Sequence, residues 1–498
     1  MPTESFEKED WIDVGKSINR SSLKQEILEA HLACKADDMV VVSTILSLYQ
    51  QVVQLAILDE YLAKVGLTVS RTFDLETGHV APLGYREVEL DKDLVIRVVE
   101  DGYMMLNGEF NLVLQISEWH VPDQWKIRIF ARSDNHAKAL SFLKDLRDYS
   151  SEHNVLKGKK ISPSLDPIGF NESYSWDSVI LPEATKAELI SNINLLFDNI
   201  DIYRKNKTPF KRGLILKGEP GTGKTLIGKV LCNILKDVTF IWVTPEHFRR
   251  IGAVGSVCEM ARSLAPSVLF LEDVDLFGEQ RERSSDKFVL GELMNQLDGI
   301  VENEYIVVIA TTNRVEDLED ALRNRPGRFD RVIDIGKPDL DCRRRMLEIY
   351  LADRNLEVKD KEGFFKMLAN KTDGFTGAHM KELINTAIIS AIDQRSVDQN
   401  KQVILKPSHF INNVEKVKSK KISPVMGFSA VTKQVNYDDP EYDWDDCSDC
   451  VDRGDSKFGP PKALVVPPAS PAQWRCGKCE GADLPKHFRL CPKRDSDG

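Results

Sequence analysis

The stretch GEPGTGKT, from Gly218 to Thr225, constrains the fold of this chain more than any other feature. It fits the pattern G-x4-G-K-[ST], follows the apolar stretch GLILK and precedes the helical stretch LIGKVLCNIL. A strand, a glycine-rich loop and a helix in this order form a phosphate cradle, because backbone amides can curl around an anion at the positive end of the helix. In such a loop Lys224 reaches the β- and γ-phosphates and the Thr225 hydroxyl binds Mg²⁺. The candidate binding residues are Gly218, Glu219, Pro220, Gly221, Thr222, Gly223, Lys224, Thr225 and Leu226.

Apolar strands alternate with helical stretches on both sides of this loop. The predicted strands are GLILK, TFIWVT, SVLFLED, YIVVIATT and RVIDIG. This alternation predicts a parallel sheet covered by helices on both faces. We therefore expect an α/β domain with a doubly covered parallel sheet over residues 176–337, followed by a helical lid subdomain without strands over residues 338–422.

Polar side chains follow two of the predicted strands. SVLFLEDVD ends in Glu272, Asp273 and Asp275, and YIVVIATTN ends at Asn313. Because parallel strands end at the same edge of a sheet, these groups are expected beside the glycine-rich loop. Carboxylates there can hold Mg²⁺ or activate water, and an amide can orient the attacking water.

Two arginines lie on a turn further along the chain. The stretch ALRNRPGRFDR carries Arg325 and Arg328 around Pro326-Gly327. Two guanidinium groups on an exposed turn suit the γ-phosphate bound by a neighbouring subunit. The alternative is that each arginine forms an ordinary surface salt bridge.

As a set, these motifs resemble those of the AAA+ ATPases over about residues 176–421. The matching stretches are GEPGTGKT, VLFLED, LMNQLDG, IVVIATTNR, RNRPGRFDR and DGFTGAHMKEL. The resemblance implies a ring, usually a hexamer, that binds and hydrolyses ATP with Mg²⁺ at subunit boundaries. By the same resemblance the Walker A pair is Lys224 and Thr225, sensor 1 is Asn313, the trans arginine fingers are Arg325 and Arg328, and the sensor 2 region includes Gly377 and Ala378.

The order of the two acids at the end of SVLFLED departs from the usual family pattern. Glu272 stands at the metal position and Asp273 at the position of the catalytic base. Each side chain therefore changes its reach by about one C–C bond, ~1.5 Å. A similar order occurs in the AAA branch that contains the mitochondrial ATPase translocating the folded Rieske protein. We expect hydrolysis; the alternative is a nucleotide-gated scaffold with little turnover.

Two further features bear on the type of AAA+ machine. The region after the second strand, PEHFRRIGAVGSV, departs from an aromatic–apolar–Gly pore loop, with Phe248 its best aromatic and Ile251-Gly252 its best apolar–Gly pair. Threading of a polypeptide is therefore not implied. No HExxH motif occurs in the 498 residues, so we expect no zinc-protease domain.

The region before the ATPase-like module predicts a small α+β domain over residues 1–150 and a linker over residues 151–175. Strands are predicted at Leu94–Val99, Tyr103–Leu106, Phe110–Ile116 and Trp125–Ala131, with Asn107-Gly108 as a hairpin turn. The uncharged segment Met39–Leu58 contains three Gln, two Ser and one Thr, so it favours a buried amphipathic helix over a membrane span. We expect this domain to select a protein client in a remodelling reaction.

Charge and cysteine usage limit the partners. The net charge of 67 − 78 = −11 argues against a nucleic-acid motor, and the basic cluster Lys416–Lys421 is interpreted as a solvated helix end. The acidic, polar N-terminus does not resemble a targeting signal. The isolated cysteines are typical of a reduced, cytoplasmic protein: Cys34, Cys232, Cys258 and Cys342. We therefore expect neither nucleic acid nor a membrane as a partner.

The C-terminal region differs in composition from the rest. Residues 423–470 are acidic and Pro-rich and predict a disordered segment. Residues 471–498 form a candidate zinc-binding end in which Cys476 and Cys479 are ligands of either of two sets. One set adds Cys447 and Cys450, and the other adds His487 and Cys491.

Overall fold

The computed structural model describes residues 20–74, 79–91, 94–119, 124–169, 174–207, 211–248, 253–276, 292–293, 295–296, 305–314, 329 and 331–419. These residues form an α+β region, a parallel sheet with its helices, and a helical subdomain. Within these ranges no helix is long and apolar enough to cross a membrane.

The N-terminal region is built on an antiparallel sheet of six strands. Five follow the order β1-β6-β5-β4-β2, and β3 pairs with the first half of β4. Their bounds are β1 Met39–Ser47, β2 Thr68–Phe73, β3 Gly84–Asp91, β4 Leu94–Asn107, β5 Leu112–Glu118 and β6 Gln124–Arg132. The helices are α1 Arg20–Leu32, α2 Leu48–Ala56, α3 Leu58–Lys64 and α4 His136–Glu152. The two strands predicted between residues 94 and 106 are one continuous strand, β4. It pairs with β5 across the turn predicted at Asn107-Gly108.

The prediction of one buried helix over Met39–Leu58 is wrong. Its first half, MVVVSTILS, is strand β1, which pairs antiparallel with β6. Branched side chains at Cβ favour this extended pairing. Helix α2 begins after Ser47, whose backbone N–H donates to Gln50 Oε1 at 3.0 Å and so marks the N-terminus.

The second sheet is entirely parallel and has the order β12-β8-β11-β10-β9-β7. Its strands are β7 Lys160–Ile161, β8 Lys211–Lys217, β9 Thr239–Val243, β10 Ser267–Leu271, β11 Ile306–Thr312 and β12 Arg331–Asp334. The central strands β9, β10 and β11 are buried along their whole length, as expected for a sheet covered on both faces. The edge strand β7 lies in the segment for which the sequence predicted only a linker.

In the described part of this region, helices connect or flank the strands at α5 Glu183–Asp198, α6 Ile200–Lys205, α7 Lys224–Ile234 and α8 Ala253–Ser263. The helical subdomain consists of the helices Leu340–Leu351, Lys361–Lys371, Gly377–Asp393, Pro407–Ile411 and Val414–Ser419. Side chains of Asp339, Asp360 and Thr376 cap its three longest helices. It also contains a parallel pair of two-residue strands, Asn355–Leu356 and Ile404–Leu405, which the sequence did not predict.

The N-terminal sheet domain packs against helix α8 of the parallel-sheet domain. Gln50 Nε2 donates to Glu259 Oε1 at 3.0 Å, and the hydroxyls of Tyr49 and Ser263 lie 3.4 Å apart. One cluster of buried apolar side chains continues from the first domain into the second. The two domains therefore share a core.

Candidate functional site

The carboxyl ends of β8, β10 and β11 meet at one edge of the parallel sheet. The glycine-rich loop leaves β8 there and enters α7, and Gly223 precedes that helix with a φ of 109°. The Gly218 N–H donates to Thr312 O of the neighbouring strand β11 at 3.3 Å. This pairing fixes the start of the loop beside the polar ends of β10 and β11.

Lys224 is buried at the start of α7 and its ammonium faces the loop. Nζ donates to Gly218 O at 2.7 Å, Glu219 O at 3.1 Å and Asn313 Oδ1 at 2.8 Å. Burial lowers the pKa of Lys224, and the carboxylates of Asp273 and Asp275 oppose that shift. Among the described residues the ammonium has no salt-bridge partner, so a buried cation is held by neutral oxygens alone.

Glu272 follows β10 and is only 4% exposed. Its two carboxylate oxygens have different donors: Thr225 Oγ1 donates to Oε1 at 2.7 Å, and Trp242 Nε1 donates to Oε2 at 3.0 Å. Neither donor carries a charge. The site therefore also holds a buried anion without a cationic partner among the described residues.

Asp273 is directed toward Asn313. Its backbone lies in the left-handed region, with a φ of 48°, and its N–H donates to Thr311 Oγ1 at 2.9 Å. Asn313 Nδ2 donates to Asp273 Oδ1 at 3.4 Å. Burial, together with the carboxylates of Glu272 and Asp275, raises the pKa of Asp273 to about 6. A carboxylate with a raised pKa is a better proton acceptor than an ordinary aspartate.

Asn313 connects the two halves of the site. Its side chain accepts from Lys224 through Oδ1 and donates to Asp273 through Nδ2. Its backbone N–H donates to Asp275 Oδ1 at 3.2 Å. This third bond fixes the start of the loop that follows β11.

The helical subdomain touches the glycine-rich loop. The Ala378 N–H, in the first turn of helix Gly377–Asp393, donates to Gly221 O at 3.0 Å. Gly221 has a φ of 80°, and a Cβ at this position would lie 2.6 Å from Ala378 Cβ. A glycine is required there because both the backbone conformation and the close approach exclude a side chain.

The remaining loop residues support this geometry. Thr222 Oγ1 donates to Glu219 O at 3.0 Å, and the Glu219 carboxylate pairs with Lys337 at 2.9 Å. Pro220 lies between Glu219 and Gly221, and Leu226 packs on the core of the parallel-sheet domain.

These residues fit a magnesium nucleotide. A buried lysine without a salt-bridge partner among the described residues, at the N-terminus of α7, suits phosphate oxygens. An uncompensated glutamate hydrogen-bonded to a threonine hydroxyl suits a hydrated Mg²⁺, which is bound through one or two carboxylates and substrate phosphates. A magnesium nucleotide would offer its phosphates to the buried Lys224 ammonium and its metal ion to the buried Glu272 carboxylate, so one ligand would neutralise both charges.

The structure brings together every predicted residue of the loop, both acids of the inverted pair, Asn313 and the Gly377–Ala378 pair. The other candidates lie outside the described residues: Arg325, Arg328, Cys447, Cys450, Cys476, Cys479, His487 and Cys491. Sequence reasoning missed Trp242 and Thr311, which contact the acids from neighbouring strands. Their residue types carry no local signal, because the contacts depend on strand register.

Comparisons with known proteins give a family match and several similar chains. Residues 214–337 match the model of the ATPase family associated with various cellular activities (AAA). The ATP-dependent zinc metalloprotease FtsH 2 of Thermoanaerobacter sp. (strain X514) is 35% identical over 217 residues, 41% of this chain and 42% of that protein. The mitochondrial inner membrane m-AAA protease component YTA10 of Saccharomyces cerevisiae is 34% identical over 234 residues, 44% of this chain and 30% of that protein.

Among solved structures, the FIGL-1 AAA domain in complex with ADP is similar, with a TM-score of 0.41 and 24% identity over 52% of this chain and 88% of that chain. The chain spans less than half the length of the curated relatives that it matches, from 30% to 43%. The match lies on the parallel sheet and its phosphate loop. The chain therefore contains an AAA ATPase domain, which the family match places over residues 214–337.

Proposed function

We propose that this chain hydrolyses ATP in a Mg²⁺-dependent reaction and uses the energy to remodel a protein client. The observation that carries the proposal is that two oppositely charged groups of the site, Lys224 and Glu272, are buried without a salt-bridge partner among the described residues, and that burial raises the pKa of Asp273, which follows Glu272. A purely structural site would pair such charges with each other.

Each residue has a role that follows from its contacts. Lys224, on release from the carbonyls of Gly218 and Glu219, donates to the β- and γ-phosphates. Thr225 and Glu272 would hold the metal, whose positive charge would neutralise the charge that develops on the phosphates. Asp273 accepts a proton from the attacking water, and Asn313 orients that water.

The assembly is proposed to be a homo-oligomeric ring, and a hexamer is the size that the resemblance favours. Arg325 and Arg328 would then stabilise charge at the neighbouring subunit's γ-phosphate. The four free cysteines of the described region are consistent with a cytoplasmic location. The N-terminal domain, which shares a core with the ATPase domain, would transmit the nucleotide state to a bound protein.

The structure bears on how a client would be handled. Phe248, the best aromatic candidate for a pore loop, is 3% exposed and belongs to the shared core. A buried aromatic cannot grip a polypeptide in a central channel. The other pore-loop candidate, Ile251-Gly252, lies outside the described residues. We therefore favour remodelling without threading through Phe248.

Steady-state phosphate release by the full chain tests the proposal. We expect Mg²⁺-dependent turnover by the wild type, retained ATP binding without turnover in Asp273→Asn, and loss of ATP binding in Lys224→Ala. Particle size with and without ATP reports ring assembly. If the wild type binds ATP and assembles but releases phosphate no faster than Asp273→Asn, the chain is a nucleotide-gated scaffold and not an ATPase.

We also propose that the C-terminal end binds Zn²⁺ through Cys476 and Cys479. Metal analysis of the purified chain should give about one zinc per chain for a single four-ligand site. Cys447→Ser removes the metal if the two CxxC pairs form the site, whereas Cys491→Ser removes it if His487 and Cys491 complete the site. Zinc retained in Cys476→Ser would contradict both ligand sets.

A further inference from the structure

The indole of Trp242 is held rigidly beside the acids of the site. Trp242 lies on β9, directly opposite Phe270 in the register of β9 and β10, and is 5% exposed. Its ring centroid lies 4.4 Å from that of Phe270 and 6.1 Å from that of Phe240. A side chain with two torsions, packed between aromatic rings, has almost no rotamer freedom.

The fixed indole donates to one oxygen of Glu272. Trp242 Nε1 lies 3.0 Å from Oε2, while Oε1 accepts from Thr225 Oγ1 at 2.7 Å. An indole N–H can donate only, so it neither accepts from a competing group nor changes charge with pH. The carboxylate is therefore held at two points, and Oε1 is the oxygen that lies beside the Thr225 hydroxyl.

The length of the side chain at position 272 makes this support necessary. Glutamate has one more torsion than aspartate and reaches about 1.5 Å further. Displacement of a reacting group by about 1 Å can slow chemistry about 100-fold. A glutamate at the metal position therefore needs a partner that fixes its extra methylene, and the backbone alone cannot supply one.

We propose that Trp242 is a positioning residue that locks Glu272 in the rotamer presenting Oε1, together with the Thr225 hydroxyl, to Mg²⁺. The inference rests on the proposed MgATP site and deepens it: the aromatic donor on β9 is what makes the inverted Glu272–Asp273 order workable. Trp242 contacts neither nucleotide nor metal in this account and acts only through Glu272.

The test measures nucleotide binding rather than turnover. The full chain binds a fluorescent, non-hydrolysable ATP analogue in a titration with Mg²⁺ and, separately, in EDTA. In Trp242→Phe the Mg²⁺ concentration at the midpoint should rise about 10- to 100-fold, the usual effect of removing an outer partner of a metal ligand. Affinity in EDTA should stay at the wild-type value, because the loop and Lys224 are untouched.

A matched control is available in the N-terminal domain. Trp125 is 3% exposed, and its Nε1 has no hydrogen-bond partner in the described part of the chain. Trp125→Phe therefore removes an equally buried indole N–H away from the site. Its Mg²⁺ midpoint should equal that of the wild type, so loss of an indole as such is separated from loss of the bond to Glu272.

A second background tests the dependence on side-chain length. In Glu272→Asp the shorter carboxylate no longer reaches Trp242, so adding Trp242→Phe should leave the Mg²⁺ midpoint of that variant unchanged. The inference is overturned if Trp242→Phe keeps the wild-type midpoint, if its affinity falls equally in EDTA, or if the shift is the same in both backgrounds. Failure of the proposed hydrolysis would instead appear as absent phosphate release by the wild type, which this binding assay does not measure.

Discussion

Asp273 combines an unusual backbone with an unusual environment. Its φ of 48° places a non-glycine residue in the left-handed region directly after a buried strand. Thr311 holds its N–H, and Asn313 holds its carboxylate. Strained residues of this kind concentrate at functional sites when their surroundings over-determine them. The turn that Asp273 makes is what directs its shorter side chain toward Asn313 rather than along the strand.

The backbone at this position predicts an order of stability among variants. Aspartate and asparagine tolerate the left-handed region, whereas alanine does so at a cost of about 1–2 kcal/mol. Asp273→Asn should therefore melt near the wild-type temperature, and Asp273→Ala should melt about 2–4 °C lower. Thermal unfolding of the two nucleotide-free variants checks this. Equal melting temperatures would show that the backbone is unstrained.

At the scale of elements, the site depends on how closely α7 lies on the sheet. A Cβ on Gly228, in the middle of α7, would lie 2.4 Å from the ring of Phe270 on β10. The same ring packs against Trp242 on β9. The Phe270 ring therefore lies between the helix backbone at Gly228 and the Trp242 indole, and contacts both. The helix carries Lys224 and Thr225, which means that its distance from the sheet sets their distance from Glu272.

Gly228→Ala should therefore destabilise the chain. Forcing a methyl group into a packed interface costs about 1–3 kcal/mol. Gly255→Ala is the control: it also lies within a helix, α8, but the nearest atom to its added Cβ is Gln296 Nε2 at 3.6 Å. Alanine there should be neutral or stabilising by up to about 1 kcal/mol. A lower denaturant midpoint for Gly255→Ala than for Gly228→Ala would contradict the close approach of α7 to the sheet.

The elements also show what sequence could and could not predict. The central strands β9, β10 and β11 were predicted because buried strands are continuous apolar runs, and the loop residues because a phosphate cradle requires them. The edge strand β7 was not predicted, because two residues are too few to show a pattern. Strand β2 was missed because its residues are mostly exposed and do not alternate. Trp242 was missed because its bond to Glu272 joins residues on neighbouring strands. The branch-specific part of the resemblance, a Rieske-translocase-like module, stays a prediction.

At the scale of the molecule, the N-terminal domain and the ATPase domain form one body within residues 1–427. Polar contacts of Tyr49 and Gln50 with α8 border a continuous apolar core. Helix α8 also precedes β10, which ends in Glu272 and Asp273. Helix α8 is therefore the element through which the N-terminal domain contacts the part of the chain that leads into this strand.

This shared core predicts cooperative unfolding. Two domains whose apolar core is continuous should melt together, whereas domains joined by a small polar interface melt separately. Differential scanning calorimetry of the full chain should show the N-terminal and ATPase domains in a single transition. Adding MgATP should raise the midpoint temperature of that single transition, because ligand binding stabilises the entire cooperative unit. Two transitions, with only one shifted by nucleotide, would contradict the shared core.

We propose that the inverted Glu272–Asp273 pair is a working catalytic site with divided roles. Its most direct test is a single-turnover measurement of phosphate formation from ATP bound to the full chain, started by addition of Mg²⁺. We predict that the wild type forms phosphate, and that Asp273→Asn binds MgATP as tightly but forms phosphate at least about 100-fold more slowly, as expected for loss of a general base. Equal rates in the wild type and Asp273→Asn would show that Asp273 is not the base and would contradict the account.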